Sequence, residues 1–200
     1  MSPRFRNALA AMAIASGVLL PAMTSPVAAA VDTSDPQRFV QTLTTDGFAA
    51  MKTGSREAAK AKFRALLAQN VAVDQIGDKL IRRWLPKITP AQHDQYKTSL
   101  PGYVVGTYAD RLFEYSDATV KVIRTQPTAG GGADVITQVT KPGAQPIAAT
   151  WSLTKVGGAW KVLNLNVAGI NVAMAQAADF DSVIQRQGFD ALLKMMAARK

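Results

Sequence analysis

The chain has 200 residues, no cysteine and a formal net charge of +9 at pH 7. Its length suffices for one domain with a substantial core, and the absence of cysteine excludes disulfides, thiolate metal sites and thiol catalysis. Because the basic residues are scattered without interleaved aromatic residues, nucleic acid is not expected as a partner, which leaves acidic proteins and anionic lipid headgroups as candidates.

Residues 1–30 have the three-part pattern of a secretory signal peptide. Arg4 and Arg6 precede an uncharged apolar run, and a stretch of small residues ends at Ala30, after which cleavage is predicted. The apolar run is shorter than the ~20 residues that a membrane-spanning helix needs. We therefore predict an exported, periplasmic chain of residues 31–200 that forms a single domain. Its charge would be +7, since 21 Lys and Arg remain against 14 Asp and Glu.

Apolar residues at helical spacing predict four helices between residues 36 and 115. The last has the clearest start, since Thr89 is a predicted N-cap, Pro90 takes the first helical position, and Gln92 completes a capping box. Pro101-Gly102 is expected to kink or break this helix. The predicted helices run from Pro36 to Gly54, from Ser55 to the linker at Asn70, from Asp74 to Leu85, and from Thr89 to about Tyr115.

From Thr119 onward the apolar spacing changes to two residues, which predicts strands. A glycine-rich loop at Pro127–Ala133 separates the first two strands, and after Gly169 helical spacing returns in two segments divided by Gly188. This order predicts an α+β fold, with N-terminal helices and a C-terminal helix packed on one face of a curved four-stranded antiparallel sheet. The predicted strands are Val120–Arg124, Asp134–Thr140, Ile147–Val156 and Ala159–Val167.

Patterns that would indicate catalysis or metal binding are weak. His93, the only histidine, follows a helix start, where a histidine usually has a structural role. Asp110 and Glu114 lie four residues apart on one helix face, which is more typical of a solvated surface than of an acid–base pair. No His, Asp and Glu cluster has metal-ligand spacing. We therefore predict no catalytic residue, metal or cofactor. For the alternative that the protein is an enzyme, His93, Asp110 and Glu114 are the only catalytic candidates.

The last two strands carry large apolar residues on both predicted faces. Trp151 and Leu153 share one face of the third strand, and strict alternation places Trp160 and Val162 together in the fourth. Apolar residues on both faces exceed what one layer of helices requires, and they suit a sheet that curls around an apolar cavity. Ordinary core packing is the alternative. The opposite face of the fourth strand then carries Leu163, Leu165 and Val167.

Five short motifs follow one another along the chain. They are an Arg-Trp pair at 83–84, an Ile-Thr-Pro-Ala-Gln helix start at 88–92, a Tyr-Ala-Asp-Arg-Leu segment at 108–112, a Gly-Ala-Trp-Lys-Val strand at 158–162 and a Val-Ala-Gly-Ile-Asn turn at 167–171. In this order and behind a signal peptide, the chain resembles the periplasmic lipid-binding proteins of the MlaC type. These are also called the toluene-tolerance auxiliary family and include hopanoid-associated relatives.

Three features depart from the usual pattern of that family, one of which is that the glycine of a Leu-Gly pair before the aromatic pair is missing. The family's turn usually leads to a Tyr-Arg pair shortly before a phenylalanine, whereas Gln176 and Ala177 occupy those positions here. Pro101-Gly102 interrupts a helix that the family usually keeps continuous. Contacts to a headgroup or a partner are therefore expected to differ around Gln176.

The resemblance implies a non-enzymatic carrier that binds phospholipid acyl chains in an apolar cavity between sheet and helices and shuttles them across the periplasm. It implies two partners: an inner-membrane ABC transporter complex with an MlaD-type subunit, and an outer-membrane lipoprotein–porin complex. Three alternatives stay open, namely a carrier of hopanoid or another hydrophobic ligand, a cone-shaped α+β enzyme acting on a small hydrophobic substrate, and an adaptor without a cavity. The residues predicted to contact lipid are Ile76, Leu80, Trp84, Tyr103, Tyr108, Leu112, Trp151, Leu153, Trp160, Val162, Leu165 and Val167.

Overall fold

The structure, a computed structural model, describes residues 31–52, 54–113 and 115–199, without the side chains of residues 109–112. The predicted signal peptide lies outside the described residues. Within them, no helix has the length and apolarity to cross a membrane. The helices and strands in chain order are α1 (Pro36–Lys52), α2 (Arg56–Asn70), α3 (Val73–Leu80), α4 (Pro90–Phe113), β1 (Thr119–Thr128), β2 (Gly132–Thr140), β3 (Ile147–Val156), β4 (Ala159–Val167), β5 (Ile170–Asn171), α5 (Val172–Gln187) and α6 (Phe189–Ala197).

The helix starts follow from side chains that cap free backbone N–H groups. The predicted capping box at Thr89 is confirmed: Gln92 donates its N–H to Thr89 Oγ1 at 3.2 Å, and Thr89 donates its own to Gln92 Oε1 at 3.0 Å. Ser55 accepts from the N–H of Ala58 at 3.2 Å and starts α2 in the same way. Capping therefore sets where these two helices begin.

The end of one helix differs from expectation. The third helix ends at Leu80 rather than Leu85, and a turn followed by a short 3₁₀ helix at Leu85–Lys87 takes its place. A proline disfavours helical backbone in the residue before it, so Pro86 opposes a helix that continues through Leu85. At Pro101-Gly102, where the sequence predicts either one long, kinked helix or two helices in succession, α4 continues as one helix.

The sheet is an antiparallel meander in the order β1-β2-β3-β4-β5. The four predicted strands are confirmed, but the sheet has a fifth, the two-residue β5, which pairs with Asn166 and Val167. Two residues are too short to show a period in the sequence. The connecting turn places Ala168 and Gly169 at φ 51° and 84°, as in two-residue hairpins with both central residues at positive φ.

A bulge in β4 corrects the predicted distribution of apolar residues between the two faces. Ser152 pairs with Asn164 but Leu153 pairs with Val162, so Leu163 has no partner opposite it in β3. The extra residue shifts the alternation by one. Trp160 and Val162 therefore lie on the same face as Leu165 and Val167, and the prediction that they point the opposite way was wrong.

The buried residues form two clusters. The sheet cluster joins α1 to one face of the sheet, and the helical cluster joins α3, α4, α5 and α6. The two are connected at the edge of β4, where Ala72 donates its N–H to the carbonyl of Val162 at 2.9 Å. The sheet cluster consists of Phe39, Val40, Ala133, Val135, Leu153, Trp160 and Val162. The helical cluster consists of Leu80, Ile81, Tyr96, Leu100, Tyr103, Phe180, Ile184, Phe189, Leu192, Leu193 and Met196.

Candidate functional site

One face of the sheet is apolar, and the pairing of the strands shows its composition. Residues paired across antiparallel strands project to the same side. Three rows cross β2, β3 and β4, and the opposite face carries mainly polar side chains such as Gln138, Ser152 and Asn164. We call these rows the apolar face: Ala133, Leu153 and Val162; Val135, Trp151 and Leu165; Thr137, Ala149 and Val167.

The apolar face is covered unevenly. Helix α1 packs against β1 and β2, and its Phe39 and Val40 are fully buried on Val135. Toward the end of β4, Leu165 and Val167 are only half-buried and belong to neither cluster of the described residues. This end of the face therefore keeps apolar surface that the described chain does not seal.

Two threonine hydroxyls lie on the same face. Thr137 is 1 % exposed, donates its hydroxyl to the carbonyl of Ala149 at 3.1 Å and accepts from Trp151 Nε1 at 3.1 Å. This orients the Trp151 indole across the face. Thr125 of β1 pairs with Val135, and its hydroxyl is buried without a hydrogen-bond partner among the described atoms. A buried polar atom of this kind is unusual in native proteins and is satisfied by a ligand or water where one binds.

A separate set of hydrogen-bonded polar side chains lies between α4 and α5. Tyr108 donates its hydroxyl to Gln176 Oε1 at 2.7 Å, and Gln176 Nε2 lies 3.4 Å from the hydroxyl of Tyr103. Gln176 and Tyr103 are each 5 % exposed. We call these three residues the polar trio. Gln176 was absent from the predicted site, although the sequence marked it as a departure from the family pattern.

The predicted site residues fall into two groups instead of lining one surface. Leu80 and Tyr103 belong to the helical cluster, and Ile76 and Trp84 pack against it. Tyr108 joins the same helices through the polar trio, and the side chain of Leu112 in α4 lies outside the described residues. The other group lies on the apolar face and consists of Trp151, Leu153, Trp160, Val162, Leu165 and Val167.

Trp84 borders an open surface groove instead of facing the sheet. The groove has a volume of about 650 Å³. The indole donates from Nε1 to Asp181 Oδ1 at 2.8 Å, and Asp181 also pairs with Arg83 at 2.9 Å. This network connects the turn after α3 to α5. The residues lining the groove are Lys79, Leu80, Arg82, Arg83, Trp84, Pro86, Ala177, Ala178 and Asp181.

Of the three catalytic candidates, the structure describes the side chain of His93. His93 Nε2 lies 2.9 Å from Asp78 Oδ1, which connects α4 to α3. Glu114 and the side chain of Asp110 lie outside the described part of the chain. Within that part, no three His, Asp or Glu side chains are grouped as a metal site would require.

The fold and the partly covered apolar face define a class of protein: an α+β domain whose helices shield one face of an antiparallel sheet and leave part of that face uncovered. The model of the family described as MlaC protein matches residues 39–198. The chain therefore belongs to the MlaC family, which confirms the resemblance found in the sequence.

Two relatives agree with this assignment. The toluene tolerance protein ttg2D of Pseudomonas putida is 27% identical over 126 residues, which cover 62% of this chain and 59% of the relative. A solved structure of the phospholipid-binding protein from Ralstonia solanacearum, in complex with a phospholipid, matches with a TM-score of 0.69. It covers 82% of this chain and 96% of that chain at 24% identity, so the likeness shows the fold.

Proposed function

We propose that this protein is a periplasmic phospholipid carrier that holds acyl chains without covalent chemistry and moves them between the inner and outer membranes. The observation that carries the proposal is the open end of the apolar face, where Leu165 and Val167 extend it beyond both clusters. Family membership and the phospholipid bound by the Ralstonia solanacearum protein support it.

In this proposal the acyl chains lie on Trp151, Leu165 and Val167 and extend the apolar packing that α1 provides on β1 and β2. Each 100 Å² of apolar surface removed from water contributes about 2.5 kcal/mol, so no covalent bond is needed to retain a lipid. The Thr125 hydroxyl on the same face is a candidate hydrogen-bond donor to a lipid ester oxygen.

The proposal includes the two partners expected from the family, an inner-membrane MlaD-type ABC transporter complex and an outer-membrane lipoprotein–porin complex. It also includes export, with cleavage after Ala30. The mass of the protein released from the periplasm measures the cleavage directly, because a chain of residues 31–200 is expected. Pull-down of each complex with this mature protein tests the partners.

The first test is the lipid content of protein purified from its own periplasm. Native mass spectrometry followed by lipid extraction should show glycerophospholipid bound to the folded protein, and delipidated protein should take phospholipid from vesicles. A hopanoid or another apolar molecule in the extract would change the proposed ligand class but would still support a carrier function. Protein that neither retains lipid nor acquires it from vesicles contradicts the proposal.

A matched pair of variants tests the location of the ligand. Leu165→Glu places a charge on the open end of the apolar face, where acyl chains cannot accommodate it. Ala148→Glu places the same charge on an exposed residue of the opposite face, in the next strand. Leu165→Glu should lose bound lipid while Ala148→Glu retains it, with circular dichroism showing that both are folded. Equal lipid content in the two variants would exclude this face as the binding surface.

A further inference from the structure

The surface groove beside Trp84 carries a concentration of positive charge. Lys79, Arg82 and Arg83 line it, and Lys87 follows in the adjoining 3₁₀ helix. All four side chains are exposed. Asp181 is the one carboxylate among the described residues that line the groove, and it is engaged by Arg83 and by the indole of Trp84. The groove therefore presents a net positive surface.

Trp84 organises part of this charge. The Arg83 guanidinium lies 5.5 Å from the centre of the indole ring, and the Lys87 ammonium lies 5.0 Å from it. Cations at these distances are attracted to the face of the ring. Because the indole is itself held by Asp181, the two cations next to its ring are kept beside the groove, and both residues are exposed.

Exposed apolar side chains continue the same surface. Ala178 and Asp181 line the groove from α5, and Met174 lies one turn earlier on the same side of that helix, since residues three and four apart are neighbours. Met174 is 70% exposed, and Ile170, just before α5, is 63% exposed. Large apolar side chains this exposed, next to a cluster of cations, indicate an interaction surface.

This combination fits the headgroup region of an anionic bilayer better than a single anion. The four cations are spread along the chain from Lys79 to Lys87, and two of them contact the Trp84 ring. A lipid surface offers many phosphates at variable positions to such a set of charges. Membrane-surface proteins combine basic residues with apolar side chains that enter the acyl boundary and with an interfacial tryptophan. The basic residues of the groove and the exposed apolar side chains thus both complement an anionic bilayer.

We infer that the groove and the adjoining start of α5 form the surface by which this protein docks on anionic phospholipid membranes. We call it the docking face, defined by Lys79, Arg82, Arg83, Trp84, Lys87 and Met174. Its biological role rests on the proposed carrier function, because a carrier must meet the bilayers that it serves. Binding to a membrane surface does not itself require lipid uptake, so the two can be tested separately.

The test is flotation of the full mature protein with two kinds of vesicle, one of phosphatidylcholine alone and one with phosphatidylglycerol added. Wild-type protein should float with the anionic vesicles at low salt and dissociate as salt is raised. Lys79→Gln/Arg82→Gln should weaken binding by roughly 25-fold, because each cation near an anionic surface contributes about fivefold. The matched control is Lys121→Gln/Arg124→Gln, which removes two exposed cations from β1 and should weaken binding much less.

Met174→Ser should also weaken binding, but by an amount that salt does not change. Equal weakening by the two double variants, or equal binding of wild type to neutral and anionic vesicles, overturns the inference. Absence of wild-type binding at low salt also overturns it and points to an acidic protein as the partner of the groove. Mass spectrometry of lipid in the same preparations separates the proposals: lipid-free protein that still docks through this face contradicts only the carrier function.

Discussion

Tyr96 is fully buried in the helical cluster, and its hydroxyl donates to the carbonyl of Gly77 at 3.0 Å. Burial, with a smaller contribution from the charge of Asp78, raises the pKa of Tyr96 far above its ordinary value of 10. At alkaline pH, Tyr96 therefore ionises in the unfolded chain but stays protonated in the native protein. The native state then binds more protons than the unfolded state, so stability falls as pH rises.

We predict that the free energy of unfolding falls by about 1.4 kcal/mol per pH unit above pH 10 on account of this one group. Tyr96→Phe should be about 1 kcal/mol less stable at pH 8, because it lacks the hydrogen bond to Gly77, but its stability should fall less steeply above pH 10. Urea unfolding of both proteins at pH 8, 10 and 11 measures the difference. Parallel pH dependence in the two proteins would show that Tyr96 does not resist ionisation.

Gly106 permits a close contact between α4 and the backbone that follows α6. A Cβ atom at this position would lie 1.7 Å from the carbonyl oxygen of Arg199, so the two segments must separate to accept any side chain. Gly106→Ala should therefore reduce the free energy of unfolding by about 1–3 kcal/mol, measured by urea titration. Gly47→Ala is the matched control, because a Cβ atom there meets nothing within 4 Å, and it should raise stability by about 1 kcal/mol.

Deletion of residues 199–200 provides a second check of the Gly106 prediction. Without the Arg199 carbonyl the clash is absent, so Gly106→Ala should cost little in the shortened chain. A cost that remains the same after the deletion would mean that the alanine acts elsewhere in α4.

At the scale of elements, α4 and α5 are joined by the polar trio. Gln176→Leu replaces a buried amide that contacts both Tyr103 and Tyr108, and it should destabilise the protein by about 1–3 kcal/mol, because removing one partner leaves buried polar groups with fewer hydrogen bonds. Tyr108→Phe combined with Gln176→Leu should cost less than the sum of the single variants, by about 1 kcal/mol. Strict additivity would show that the 2.7 Å contact does not contribute to stability.

The elements differ in how far the sequence predicts them. The starts of α2 and α4 and the four long strands follow from local signals: a capping side chain, a proline at the first turn, and a two-residue period. Two features depend on interactions beyond the local sequence. Strand β5 exists only because it pairs with Asn166 and Val167, and the bulge at Leu163 is set by the register against β3.

Dependence on interactions beyond the local sequence also limits prediction of the site. Strict alternation separated Trp160 and Val162 from Leu165 and Val167, and only the bulge brings the four onto one face. The predicted lipid contacts include Leu80 and Trp84, and the structure places Leu80 in the helical cluster and Trp84 against it, because apolarity alone does not indicate which cluster a residue joins. Gln176 carries no local signal of burial, since glutamine is usually exposed, and its hydrogen bond to Tyr108 spans 68 positions in sequence.

At the scale of the molecule, the sheet cluster and the helical cluster are connected at the edge of β4, and the apolar face remains open at the other end of that strand. In the proposed function a phospholipid fills this opening and adds contacts that neither cluster supplies. A ligand that binds only the native state stabilises it by an amount that rises with the logarithm of the free ligand concentration once this exceeds the dissociation constant. Bound lipid should therefore raise the unfolding temperature of the whole domain.

We predict that delipidated protein unfolds at a lower temperature than protein loaded with a short-chain phosphatidylglycerol. The stabilisation should reach about 2.7 kcal/mol when free lipid is at 100 times its dissociation constant. Differential scanning calorimetry over a series of lipid concentrations measures this, with Ala148→Glu expected to respond as wild type does and Leu165→Glu not to respond. A lipid-dependent rise of equal size in Leu165→Glu would mean that the ligand stabilises the fold from another surface, and the absence of any rise in wild type would argue that the two clusters alone complete the native state.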